Sequence, residues 1–164
     1  MRGRILMLGV LLAGLVLALA ACGGGGGGGG GGDRLTKSEY EKKVQTEGAK
    51  IRDAFQSTNV QNANDLGELA KNVKKGQKEL RDAADRLDNV NPPKEIENDH
   101  NDLVDAMHSL ADELDPFIKA LEKKDTKGIQ KAAQNLSNSS AVKKAEKAVA
   151  DMKKKGYDLG AIGT

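Results

Sequence analysis

The chain has 164 residues, of which about 130 follow an N-terminal export-like stretch and a run of glycines, so it has room for one domain. Its 26 Lys and Arg stand against 24 Asp and Glu, and without Arg2 and Arg4 the two signs balance, which excludes the basic footprint of a nucleic-acid binder. Two Phe, two Tyr and no Trp leave Leu, Val, Ile, Ala and Met to fill the core, which favours helices packed side by side over a β-sandwich.

At the N-terminus, Arg2 and Arg4 form a short positive region, followed by the uncharged apolar run Ile5 to Ala21. The run is short for a membrane span of about 20 residues but suits a signal peptide over residues 1–21. It ends in Leu19-Ala20-Ala21-Cys22, where two small residues let a peptidase approach the backbone and the thiol is available for diacylglycerol transfer. This segment resembles the bacterial lipoprotein signal, the lipobox. The resemblance implies cleavage between Ala21 and Cys22, lipidation of Cys22, and attachment to the extracytoplasmic face of the cell membrane. An uncleaved signal anchor with an incidental cysteine is the alternative. Cys22 is the only cysteine, so the chain has no internal disulfide, and acylation removes an otherwise awkward free thiol.

Gly23 to Gly32 are ten consecutive glycines, which with Cys22 make a tether over residues 22–32. With no side chains to bury, such a run spans roughly 17 Å root-mean-square and about 35 Å at full stretch. A phosphate-cradling loop is excluded, because no strand precedes the glycines and no Gly-Lys-Ser/Thr follows them.

Residues 33–164 read as an all-α, antiparallel, up-down-up-down four-helix bundle. The first helix starts at Thr36, where Thr36-Lys37-Ser38-Glu39 has capping-box form, and its apolar face is Tyr40, Val44, Ile51, Ala54 and Phe55. A polar turn over Ser57 to Asn64 leads to Asn64 or Asp65 as cap of the second helix. There Leu66, Leu69, Val73, Gly76, Leu80, Ala83, Leu87 and Val90 alternate in steps of three and four, with Gly76 the weak position. Asn91-Pro92-Pro93 ends that helix and starts the third.

The third seam is Ile96, His100, Leu103, Met107, Leu110, Leu114, Phe117 and Leu121. Pro116 interrupts it, but Phe117 and Leu121 stay in phase, so a kink is favoured over a break capped by Asp115. Asp125 or Thr126 caps a fourth helix with the face Ile129, Ala133, Leu136, Val142, Ala145, Val149 and Met152, and Asn135 to Ser140 invites a bend or fraying. Lys153 to Lys155 suit the helix C-terminus, Gly156 suits a left-handed cap, and the tail should pack back weakly through Leu159 and Ile162.

Glu97-Asn98-Asp99-His100 has the Glu-x-x-His spacing that puts two metal ligands on one helix face in carboxylate bundles, so Glu97 and His100 are the candidate metal ligands. The set is incomplete, since the other histidine, His108, lies about 12 Å further along the same helix. A structural His100 facing Ala83 and Leu87 is the competing and favoured reading, with His108 exposed. Lysines 143, 144, 147, 153, 154 and 155 offer a basic strip for anionic lipid or wall polymer, diluted by Glu146 and Asp151. No catalytic triad or carboxylate pair stands out, so the domain is expected to be non-enzymatic and to need no cofactor. Its expected partners are the membrane, through the anchor, and an envelope protein, wall component or small molecule.

From Leu35-Thr36-Lys37-Ser38-Glu39-Tyr40 through Pro92-Pro93-Lys94-Glu95-Ile96-Glu97-Asn98-Asp99-His100 to the lysine-and-glycine ending, the chain resembles uncharacterised helical lipoproteins of actinobacteria. The resemblance implies location and fold and brings no activity. Members often carry a cysteine late in the first helix and another near the C-terminus; neither is present here, so no role of such a pair carries over.

Overall fold

The computed structural model describes residues 34–57 and 65–160. The signal segment, Cys22, the glycine tether, most of the Ser57–Asn64 turn and Ile162 lie outside the described residues. Within them the chain forms α1 (Lys37–Ser57), α2 (Leu66–Asp88), a 3₁₀ turn (Lys94–Ile96), α3 (Glu97–Glu122), α4 (Thr126–Ser137) and α5 (Ser140–Lys154). No strand is present among the described residues, and no helix there is long and apolar enough to cross a membrane.

Helix starts follow the local chemistry. Glu39 accepts the Thr36 amide at 2.9 Å while the Thr36 hydroxyl accepts the Glu39 amide at 3.4 Å, closing the capping box. Asp65 caps α2 through the Glu68 amide at 2.8 Å, and Asp125 caps α4 through the Gly128 amide at 3.0 Å. Helix α3 runs unbroken through Pro116, as the unshifted seam beyond it predicts.

Successive arms are antiparallel, as their cross-contacts show. Glu47 of α1 meets Arg86 of α2, Arg81 of α2 meets Asp112 of α3, and Lys144 and Lys155 of α5 meet Asp105 and Asp99 of α3. The all-α bundle is therefore confirmed, with one difference in its fourth arm. The chain bends at Asn135 to Ser140 so sharply that one helix becomes two, because the Ser139 side chain accepts the amides of Ala141 and Val142 and so starts α5 afresh. Restarting the helix rotates its inner face. Ala141, Ala148, Val149 and Met152 are buried, whereas Val142 and Ala145 are only half-buried.

The core falls into two clusters. The larger joins Tyr40, Leu87, Leu103 and Met152 with Tyr157 and Leu159, and the smaller joins Val73, Leu114, Phe117, Leu121 and Ala132. Between them Gln77 is buried and donates its amide to the Ala111 carbonyl at 2.7 Å and to Asp115. This places a polar group beside the stretch of α3 where Pro116 removes a backbone donor.

Gly76 has a packing reason rather than a conformational one. A Cβ built there would lie 2.5 Å from Cε1 of Phe55, so the α1 ring occupies the space a side chain would need. Gly76→Ala is expected to destabilise the bundle by about 1 kcal/mol in urea denaturation, although alanine is the better helix former by a similar amount. Adding Phe55→Leu should remove the clash and let the helical gain emerge; a stabilising single substitution would refute the packing account.

Candidate functional site

His100 sits in the first turns of α3, only 2% exposed, where all four arms converge. Its Nδ1 lies 3.0 Å from the Tyr40 hydroxyl of α1, with the two rings edge to face at 5.6 Å. The ring also lies within reach of the backbone of Leu87, the neighbour that antiparallel pairing across Pro92-Pro93 predicts. Met152 of α5 closes the group, its sulfur 3.4 Å from the Tyr40 hydroxyl. Burial lowers the His100 pKa below its ordinary value, against the opposing pull of the Leu87 bond and the Asp88 charge. The imidazole is thus neutral at pH 7, accepting from Tyr40. Burial, with the Tyr157 and Asp99 charges, likewise pushes the Tyr40 phenol well above its usual range.

Glu97 does not join His100. Its carboxylate binds Arg34 at 3.0 Å, and Arg34 also donates to the Pro92 carbonyl at 2.8 Å, fastening the entry of α1 to the α2–α3 turn. Asp99 is held by Lys155 at 2.7 Å. Among the described residues no group of three or more His, Cys, Asp or Glu is arranged to hold a metal, so the Glu-x-x-His spacing brings no ligand pair together. His108 lies on the flank of α3, its side chain 40% exposed and 3.6 Å from Asp85.

The tail beside His100 is held more firmly than its sequence suggests. Weak packing through Leu159 and Ile162 is the expectation; instead Tyr157 and Leu159 are both buried, at 3% and 0% exposure. The reason is the end of α5. Gly156, at φ +85°, donates to the Lys153 carbonyl, and Tyr157 donates to the Met152 carbonyl, the paired bonds of a Schellman motif. That motif brings the residue after the glycine back onto the helix, and this rule is the signal in the sequence that marks Tyr157. The Tyr157 ring then stands edge to face with Tyr40 at 5.9 Å, its hydroxyl donates to Glu95, and Lys37 lies over its face. Burial, and then the bond to Glu95, raises the Tyr157 pKa, while the same bond lowers that of Glu95.

A second polar centre lies between α1 and α2. Glu47 is 1% exposed and receives Arg86 at 2.7 Å and Lys50 at 3.1 Å, with Lys43 at 3.8 Å. Burial works to raise its pKa, yet the hydrogen bonds from Arg86 and Lys50 outweigh it and leave the carboxyl below its ordinary value. Apolar spacing passes over Glu47, but Tyr40, Val44, Glu47, Ile51 and Ala54 step by four, three, four and three, so the seam register itself points to it.

Four of the six lysines of the basic strip, Lys144, Lys147, Lys154 and Lys155, are ion-paired. Lys144 binds Asp102 and Asp105, each at 3.1 Å, Lys147 and Lys154 bind Asp151, and Lys155 binds Asp99. The two lysines draw the Asp151 pKa down to about 2.

The model of a domain of unknown function, DUF7018, matches residues 34–155, the span from the arginine that fastens α1 to the last lysine before the tail. No curated protein and no solved structure matches the chain.

Proposed function

The chain belongs to the DUF7018 family, and from its own residues we propose that it is a membrane-anchored, extracytoplasmic lipoprotein whose bundle is a non-enzymatic interaction module. The observation that carries the anchor is Leu19-Ala20-Ala21-Cys22 at the end of a charged-then-apolar leader, followed at once by ten glycines. An acylated cysteine followed by a side-chain-free run gives a folded body freedom to turn above a bilayer. Arg34 and Leu35 are fastened to the Pro92–Asn91 turn, so the tether joins the body at the pole that also holds His100 and the tail.

The non-enzymatic part rests on the polar groups. His100 is buried, with its Nδ1 held at 3.0 Å by the Tyr40 hydroxyl, a setting that suits a structural imidazole better than a group offered to a substrate. Ion pairs such as Arg81–Asp112, Lys144–Asp105 and Lys155–Asp99 join neighbouring helices, as a scaffold does.

The decisive experiment is processing in a bacterial host. Mass spectrometry of the membrane-extracted protein should find a chain beginning at a diacylglyceryl-modified Cys22, and Cys22→Ser should abolish cleavage and release the protein from the membrane fraction. Residues 1–21 still attached in the native protein, or membrane retention unchanged by Cys22→Ser, would overturn the anchor.

A further inference from the structure

The two poles of the bundle treat their charges differently. Near the tether pole and along α5, cations are paired across elements, as in Arg34–Glu97, Lys155–Asp99 and Lys144–Asp105. The opposite pole is built from the start of α2 and the α3–α4 turn. There residues 65–75 and 122–131 carry seven lysines against four carboxylates, in a chain whose signs nearly balance as a whole. All seven lysines are exposed. Lys71, Lys74, Lys123, Lys124, Lys127 and Lys131 form no ion pair among the described residues, and two of the carboxylates, Asp65 and Asp125, serve as helix caps.

The two segments make one surface. Ala70 and Val73 share a core cluster with Leu121 and Ala132. Asp65, whose pKa is lowered first by the amides of Glu68 and Gly67, also feels the charges of both Lys124 and Lys71. Lys124 stands against backbone preference: at φ +55° it is the one non-glycine residue with positive φ among those described, in the place after α3 where glycine is usual. What lysine adds there is charge beside Lys123 and Lys127.

We propose that this pole, centred on Lys71, Lys74, Lys124 and Lys127, is a docking surface for an extended, phosphate-bearing polymer outside the membrane. Exposed lysines are mobile point charges without a fixed fork, so they read charge density rather than shape. Lys71, Lys74 and Lys75, and again Lys127 and Lys131, stand three or four residues apart on a helix, about 5–6 Å between Cβ atoms. A phosphate-linked chain with one charge per unit can follow that repeat. Neither segment contains an aromatic residue on which a nucleic-acid base could stack. The 23 residues of α2 span about 34 Å, and Arg34 fastens the tether at the far end of that length. This exceeds the roughly 17 Å root-mean-square span of the glycines, so a body held by its other pole presents these lysines away from the bilayer. The choice of a polymer over lipid headgroups rests on the proposed anchor, whereas binding in solution does not.

The test uses the chain from residue 22 onward with Cys22→Ser, which keeps every described helix, and inorganic polyphosphate as the probe. Phosphatidylglycerol vesicles at equal phosphate concentration are the comparison. Polyphosphate should bind saturably by calorimetry and weaken at least about ten-fold between roughly 50 and 200 mM salt. In nuclear magnetic resonance spectra it should shift the amide signals of residues 65–75 and 122–131. Lys71→Gln, Lys74→Gln, Lys124→Gly and Lys127→Gln together should weaken binding at least about ten-fold, and the glycine suits the backbone it enters. Lys143→Gln, Lys147→Gln, Lys153→Gln and Lys154→Gln on α5 remove as much charge and should leave affinity within about two-fold. No saturable binding, equal losses in the two variants, or tighter binding to the vesicles than to polyphosphate would overturn the proposal. Should a variant lose its helical circular dichroism, the amide map of the unaltered chain decides, and shifts centred away from this pole would overturn it. None of these outcomes bears on the processing of Cys22, which is read separately by mass spectrometry.

Discussion

Arg86→Met is expected to lower the stability of the bundle by about 3 kcal/mol in urea denaturation at pH 7, the cost of leaving a buried charge without its main partner. Glu47 is sealed between α1 and α2, its side chain 2% exposed, and the guanidinium of Arg86 is the only group reaching it from the facing helix in its ion-pair set. Lys50 and Lys43 approach from the same helix with side chains 47% and 38% exposed, so they replace only part of what is lost. Glu79, which shares Arg86, is only partly buried, its side chain 27% exposed, and should add less than Glu47. The double substitution Glu47→Leu and Arg86→Met should recover most of the loss, because two apolar side chains of similar reach fill the seam without a desolvated charge. A double variant as unstable as the single one would show that the two residues act by packing alone. The pH dependence has a definite sign. The Glu47 pKa is lowered on folding, so its contribution is present above the unfolded value near 4.5 and is lost as pH falls through the folded one. The cost of Arg86→Met should therefore shrink in acid.

The parts of the fold that could be read from sequence are those fixed within a few residues. Thr36 with Glu39, Asp125 with Gly128 and Gly156 after three lysines each combine a backbone need with a nearby side chain that meets it. The seam spacing through Pro116 correctly kept α3 whole, because phase is a property of the helix itself. The division of the fourth arm was harder to see. Asn135 to Ser140 marks a weak stretch, but whether a serine frays a helix or caps a new one depends on its backbone turning to aim the hydroxyl at the next amides.

Contacts between arms were legible only where a tight turn sets the pairing. Leu87 opposite His100 follows from the Pro92-Pro93 turn. Tyr40 lies 60 residues from His100, and only the closing of the bundle brings the two together. Glu47 was hidden for a different reason. A search for apolar spacing omits a carboxylate at a seam position, and its partner stands 39 residues away. Glu97 shows the converse error, since spacing alone placed it with His100 while Arg34, outside the helix, takes its carboxylate.

His100→Ala should cost about 3 kcal/mol at pH 7.5, and the gap to the unaltered protein should close as the solution is acidified. The first figure is the cost of a cavity in a buried junction together with lost hydrogen bonds, while the Leu87 carbonyl keeps the Val90 amide as a donor at 2.9 Å. Tyr40 also keeps a partner, because its hydroxyl retains Met152 as a weak acceptor. The pH trend follows from linkage. In the unfolded chain His100 takes a proton near pH 6.5, whereas in the folded protein burial lowers its affinity, so the unfolded state binds more protons in mild acid. Stability that is fully present above the unfolded pKa is lost as pH falls, at up to about 1.4 kcal/mol per pH unit until the folded pKa is reached. The alanine variant has no such group to protonate at this position and is spared that part of the loss. Parallel denaturation curves for the two proteins at pH 7.5, 6.5, 5.5 and 5.0 measure the difference directly. A constant gap across that range would mean that the imidazole stays as accessible to protons after folding as before. The same acidification should loosen the tail, because Tyr157 rests on the Tyr40 ring that His100 holds in place. Tyr40 and Tyr157 are the only tyrosines and the chain has no tryptophan, so tyrosine emission reports on this junction alone. Its change with pH should follow the stability loss in the unaltered protein and be absent in the alanine variant.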